Sequence, residues 1–87
     1  MAPLDPEFGR PALAGRIVRG AAENDLVRLH GAILAALELH PPGDAVSGIF
    51  VPAMREAERT HGVPCRQRIA AAIREHLDGY AEGAAAC

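Results

Sequence analysis

The residues with the clearest capacity for chemistry lie between positions 55 and 66. Three arginines there could hold a phosphate or another anion, and a histidine stands four residues before a cysteine. No other part of the chain gathers so many polar groups of this kind. The candidate binding residues are therefore Arg55, Arg59, His61 and Arg66.

The same segment does not complete a metal or catalytic site. His61 and Cys65 could give zinc two ligands, but a structural zinc ion needs four and the sequence has no second close pair. A reactive Cys65 thiol would need a base such as His61 or His76, and a buried, inert thiol is the interpretation we adopt. We therefore expect a protein that is not an enzyme and that holds no metal.

A periodic apolar pattern indicates the elements that must position these residues. Six side chains fall at i, i+3, i+4, i+7, i+8 and i+11, the spacing of one face of an amphipathic helix. We expect this stripe to be the packing face of the helix. Its members are Leu26, Leu29, His30, Ile33, Leu34 and Leu37.

The helix that carries the stripe has clear boundary signals. Asn24 or Asp25 can cap its start, and the residues before Pro41 favour its end because the residue preceding a proline avoids the α region. A preceding helix is predicted from Pro11, a residue favoured in the first turn. Its inward positions are Leu13, Ile17, Val18 and Ala21.

Two further helices follow. Asp44 is a suitable N-cap for the first of them, which should run to about Arg59 and kink at Pro52. Its apolar residues include Phe50 and Met54, which we expect in the core together with Leu37.

The last helix is predicted to start at Pro64 and to end at Gly79 and Gly83. Its apolar positions are Ile69, Ile73, Leu77 and Tyr80. The fold class is all-α, a small bundle of about four helices.

Composition limits the functions that this bundle can have. The chain has 87 residues, of which 49% are hydrophobic, and a net charge of −2, so no broad positive field attracts nucleic acid or anionic lipid. It contains no apolar run that could span a bilayer and no signal peptide, so we expect a soluble, cytoplasmic protein. Residues 1–8 resemble a cloning remnant, residues 9–80 form the predicted domain, and residues 81–87 are expected to be a flexible tail.

The segment 55–77 also suggests a helix-turn-helix, the fold of many small DNA-binding domains. A small residue four positions before Gly62 and an apolar residue six positions after it are typical of that motif. Here those positions hold Glu58 and Arg68, and the expected residue types, Ala57 and Ile69, are each displaced by one. DNA binding is therefore a secondary hypothesis.

The order of features from Gly20 to Leu77 resembles the helical-bundle cap of cobalamin-binding proteins, found in corrinoid methyltransferases and in some MerR-type bacterial regulators. Matching pieces are the acidic turn at residues 20–25, the long apolar helix, the segment IFVPAMRE at 49–56, and Val63-Pro64 leading into an alanine-rich helix. The aromatic residue that faces the cofactor in the family is replaced by Arg59-Thr60-His61. The motif for the lower cobalt ligand belongs to a separate domain and does not occur in this sequence.

The resemblance implies a regulatory role without a cofactor in this chain alone, and cobalamin enters only if another domain supplies the ligand. Our interpretation is a non-catalytic helical binding module of a bacterial regulatory protein involved in transcription regulation. It would act through a ligand, another domain or a second copy, so a protein partner or self-association is expected. The alternative is a docking or effector domain whose apolar groove binds a partner helix.

Overall fold

The computed structural model describes the backbone of residues 9–86 and the side chains of residues 9–77. The described part is an all-α bundle without strands, as the sequence predicts. Its elements are α1 (Arg10–Ala22), α2 (Leu26–Leu39), α3 (Pro42–Ala45), a π-helical turn (Val46–Phe50), α4 (Val51–His61) and α5 (Val63–Ala86). Because α3, the π-helical turn and α4 follow one another without a break, the described residues form four main helical segments. The predicted cloning remnant lies outside the described residues.

A tight turn joins α1 to α2. Asn24 adopts a left-handed conformation with φ of 55°, and its N–H donates to the carbonyl of Ala21 at 3.2 Å. The N–H of Asp25 donates to the carbonyl of Gly20 at 2.8 Å. These two bonds form a Schellman motif, which satisfies carbonyls at the end of α1. The Asp25 side chain then accepts from the backbone N–H of Arg28, which confirms the predicted cap of α2.

The face that α2 buries differs from the predicted stripe. The buried residues of the helix are Leu29, Ala32, Ile33 and Ala36. Leu26 is 56% exposed and Leu34 is 46% exposed, so the prediction that the whole stripe packs inward was wrong. Alanines of α2, rather than these leucines, face the core. Their short side chains allow α2 to pack closely against α1. Much of the apolar surface of α2 is left without a partner inside the described bundle.

The third helical segment begins earlier than predicted. It starts at Pro42, and Asp44 lies inside the first turn, so Asp44 is not the N-cap. A π-helical turn directly precedes the position of the predicted kink at Pro52, and the N–H of Val51 donates to the carbonyl of Val46 there. Pro52 is the second residue of α4, directly after the π-helical turn.

The core lies where α1, α2, the π-helical turn, α4 and α5 meet. Phe50 is its largest fully buried side chain, as predicted, while Leu37 and Met54 are partly buried against it. The four predicted inward residues of α1 are all buried, which confirms that interpretation. The remaining large members are Leu29, Ile33, Ile49 and Ile69.

The last helix starts at Val63, one residue before the predicted Pro64, directly after Gly62. Leu77 interrupts it with φ of −127° and ψ of 29°, and the helix continues to Ala86. The predicted end at Gly79 and Gly83 is therefore replaced by a break at Leu77. The side chain of Tyr80 lies outside the described residues. No helix in the described part of the chain is long and apolar enough to cross a bilayer.

Candidate functional site

The predicted arginine cluster lies on the surface around the junction of α4 and α5. Arg55, Arg59 and Arg66 are all exposed. The Arg59 Nη2 atom lies 3.5 Å from Glu56 Oε1, and the Arg66 Nη1 atom lies 2.9 Å from Glu58 Oε1. Adjacent carboxylates therefore offset the charge of two of the three arginines, which reduces the attraction of this surface for an anion.

His61 completes the predicted set at the last residue of α4. It is exposed and lines a surface groove of about 470 Å³ between α4 and α1. Val18, Arg19 and Glu56 line the same groove. The structure thus brings His61 near the arginine cluster but directs it toward α1. Binding by Arg55, Arg59, His61 and Arg66 remains a prediction.

The polar surface at the end of α4 does not match the needs of a corrinoid ring. The positions 59–61 are all exposed, Arg59 is paired with Glu56, and the Thr60 hydroxyl donates to the Glu56 backbone carbonyl. A flat macrocycle requires apolar or aromatic contact over its face. These residues do not supply that contact, so we place no corrinoid on this surface.

The geometry between α4 and α5 also differs from a helix-turn-helix. Only Gly62 separates the two helices, whereas that motif uses a turn of about three to four residues. Arg68, which holds the position where a helix-turn-helix has an apolar residue, donates from Nη1 to the backbone carbonyl of Ala21 at 2.8 Å. This arginine therefore joins α5 to the end of α1.

Cys65 and His61 do not converge on a ligand-binding site. Cys65 is only 2% exposed and belongs to the core, whereas His61 is on the surface. Within the part of the chain that the structure describes, no three His, Cys, Asp or Glu side chains form a group that could hold a metal ion. Cys65 thus fits the interpretation of a buried, inert thiol.

A basic groove between α1 and α2 has no counterpart in the sequence predictions. It measures about 430 Å³ and its polar lining comes from Arg16, Arg19 and Arg28. Arg28 also contacts the carboxylates of Glu23 and Asp25, at 3.4 and 3.8 Å. Because acidic groups flank the groove, its net positive character is weak.

A second unpredicted cluster joins α2 to α5 through two histidines. The His30 Nδ1 atom lies 2.8 Å from His76 Nε2, and the ring centroids are 5.0 Å apart with the planes at 63°. The His30 Nε2 atom lies 3.2 Å from Glu75 Oε2. His30 and His76 are 46 positions apart, so no local spacing could have revealed the pair. Both rings are partly exposed.

The same side of α2 carries an apolar surface that we call the outer strip. Val27 is 85% exposed, and its neighbours Leu26 and Leu34 are about half exposed. The outer strip consists of Leu26, Val27, His30, Leu34 and Leu37, which follow one another at helical spacing; His30 and Leu37 are partly exposed, and Leu37 also packs against the core. Exposed apolar residues are ordinary when isolated, but a contiguous strip on one helix is typical of an interaction surface.

Fold and surface together define a small all-α helical bundle with an apolar helix face on its outside. No protein-family profile matches the chain, and neither does any curated protein sequence or solved structure.

Proposed function

We propose that this chain is a non-catalytic interaction module of a bacterial cytoplasmic regulatory protein, and that its primary partner is a second copy of itself. The observation that supports this proposal is the outer strip of α2. Val27 and Leu34 expose 85% and 46% of their surface although both belong to an amphipathic helix. Burial of such side chains against another protein is favourable by roughly 25 cal/mol per Å² of apolar surface.

The spacing of the outer strip suits contact with a second helix of the same sequence. Ridges of side chains four residues apart pack into the grooves of a neighbouring helix. In an antiparallel pair of α2 helices with Leu26 of one copy opposite Leu37 of the other, His30 lies within one residue, about 1.5 Å along the axis, of the position opposite Leu34. The strip is thus nearly self-complementary, which is the requirement for a two-fold symmetric contact.

The small size of the domain gives a second reason for self-association. A domain of this length buries only about 60% of the surface that its unfolded chain exposes, so its stability is modest. The core relies on alanines such as Ala32, Ala36 and Ala53, each of which buries little area. A dimer contact would add apolar burial that the described bundle lacks.

The regulatory context rests on the resemblance to the helical cap of cobalamin-binding proteins. In that comparison, the present chain retains the order of helices and lacks the aromatic residue that faces the cofactor. Self-association of such a bundle would regulate the protein that contains it. Transcription regulation is the corresponding process, with DNA contacts supplied elsewhere in the assembly.

The test is sedimentation equilibrium of the wild-type chain and of two matched leucine variants. Leu34→Glu places a charge in the outer strip, and Leu39→Glu places the same charge on the same helix, about 140° away. The two leucines have similar exposure, 46% and 50%. We expect wild type and Leu39→Glu to form the same dimer and Leu34→Glu to be monomeric.

Circular dichroism of all three proteins checks that the helices are retained. The proposal is wrong if the wild type is a monomer throughout the accessible concentration range. It is equally wrong if Leu34→Glu and Leu39→Glu weaken the dimer to the same extent, because the contact would then not use the outer strip.

A further inference from the structure

The two histidines that join α2 to α5 form a hydrogen-bonded pair, and the ring nitrogens of such a pair are metal ligands in many proteins. Glu75 lies 3.2 Å from His30 Nε2, where it can accept the N–H of that nitrogen. The His30 Nδ1 atom faces His76 Nε2 at 2.8 Å, and the two rings share a hydrogen bond whose donor depends on the tautomer. A carboxylate behind a histidine is the usual support of a metal-ligating imidazole.

Zinc would replace the hydrogen bond between the two nitrogens, which lie 2.8 Å apart. With Zn–N bonds of about 2.0–2.1 Å, the nitrogens of a tetrahedral site are roughly 3.3 Å apart. The rings would need to separate by about half an ångström from their present distance, which partly exposed side chains can do. Imidazole nitrogen is a preferred ligand of zinc and of related transition metals.

Two ligands do not complete a structural zinc site, which takes four. Glu75 faces the opposite nitrogen of His30 and is not a third ligand. Among the described residues no third side chain joins the pair. The missing ligands must therefore come from outside this copy of the chain.

The position of His30 in the outer strip indicates where the missing ligands come from. The midpoint between Leu26 and Leu37 lies only about 2 Å along the helix axis from His30. A two-fold axis through that midpoint would bring the His30 and His76 pair of one copy toward the same pair of the other. Four neutral imidazoles arranged around one ion match the tetrahedral preference of zinc.

We propose that His30 and His76 of two copies together bind one zinc ion, and that this ion strengthens the dimer. The proposal rests on the self-association proposed above, and adds to it the metal and the four ligands. Glu75 is a positioning residue, since it orients His30 without contacting the ion.

The experiment measures the dimer dissociation constant by sedimentation equilibrium in EDTA, in zinc and in magnesium, together with the zinc content of the isolated dimer. We expect a dimer in EDTA, at least tenfold tighter association in zinc, no change in magnesium, and one ion per two chains. Magnesium is the control because it prefers oxygen ligands.

Three variants assign the ligands. His30→Gln and His76→Gln should retain the dimer in EDTA and lose the effect of zinc, while His40→Gln, at the end of α2 and outside the pair, should keep it. Glu75→Gln should weaken the response to zinc by about tenfold with both histidines in place. Circular dichroism in EDTA checks the fold of each variant.

The outcomes separate the two proposals. A wild-type dimer in EDTA that zinc does not tighten overturns the metal site and leaves the outer-strip contact standing. A monomer in EDTA overturns the proposed function. The metal site is also wrong if zinc tightens His30→Gln and His76→Gln as much as wild type, or if one ion binds per chain without a change in assembly.

Discussion

The backbone of Leu29 lies so close to Gly20 that α1 and α2 tolerate no side chain between them. A Cβ atom added at Gly20 would stand 2.9 Å from the Leu29 backbone nitrogen and 3.0 Å from its Cα. Both partners of this contact are backbone atoms or atoms next to the backbone, which cannot move without shifting the helix. The absence of a side chain at position 20 therefore sets how closely the two helices approach.

Gly20→Ala is expected to destabilise the protein by about 1–3 kcal/mol, the usual cost of overpacking a well-filled contact. The matched control is Gly15→Ala in the same helix, where an added Cβ meets nothing within 4 Å. That change should stabilise by up to about 1 kcal/mol, because alanine favours the helix. Urea denaturation followed by circular dichroism measures both. Equal stabilisation by the two substitutions would show that α1 and α2 do not approach as described.

A second prediction concerns the start of α2. Asp25→Ala should cost about 1 kcal/mol of unfolding free energy, because the Asp25 carboxylate accepts the N–H of Arg28 and caps the helix. Asp44→Ala is the control, since Asp44 lies in a first helical turn without acting as its N-cap. Loss of the Asp44 carboxylate should lower the free energy of unfolding by only about 0.5 kcal/mol, through its interaction with the helix dipole. The capping assignment is contradicted if Asp44→Ala costs more than Asp25→Ala in the same denaturation assay.

The contrast between these two aspartates illustrates what the sequence can determine. Helix existence and approximate limits follow from local signals, such as the cap at Asp25 and the prolines at 41 and 42, because those signals act within a few residues. Asp44 misled the prediction because Pro42 also fits the start of a helix. Either residue satisfies the local rules, and tertiary packing decides between them.

The choice of buried face could not be predicted in the same way. The apolar residues of α2 cover a wider arc than one neighbouring helix can bury, so periodicity alone allows several orientations. The contact at Gly20 selects the orientation that buries Leu29 and exposes Leu34. The pairing of His30 with His76 depends on that orientation and on the position of α5, and no short-range pattern records it. The candidate arginines follow from the sequence, but the pairing of Arg59 with Glu56 and of Arg66 with Glu58 depends on side-chain positions that the sequence does not give.

The turn between α4 and α5 provides a third prediction. Gly62 has φ of 93° and ψ of 173°, a conformation that residues with a side chain rarely adopt. Gly62→Ala should therefore cost about 1–3 kcal/mol. Gly43→Ala in α3 is the control, because an added Cβ there meets nothing within 4 Å and no positive φ is required. Thermal unfolding should show a lower midpoint for Gly62→Ala than for wild type, and no such decrease for Gly43→Ala. An unchanged midpoint for Gly62→Ala would mean that the turn adopts another conformation.

The last prediction separates the two arginines near the start of α5. Arg68 donates to the Ala21 carbonyl in a partly buried contact, so it satisfies the end of α1, where a positive charge is also favoured by the helix dipole. Arg68→Met retains most of the aliphatic stem, removes the hydrogen bond and should cost about 1 kcal/mol. Arg66→Met removes an ion pair with Glu58 whose side chains are 53% and 46% exposed, and such surface pairs contribute only about 0–1 kcal/mol. Denaturation midpoints at low and at high salt distinguish the two contacts, since salt screens the exposed ion pair more strongly than the partly buried bond. If Arg66→Met were the more destabilising change, the link between α5 and α1 would have to lie elsewhere.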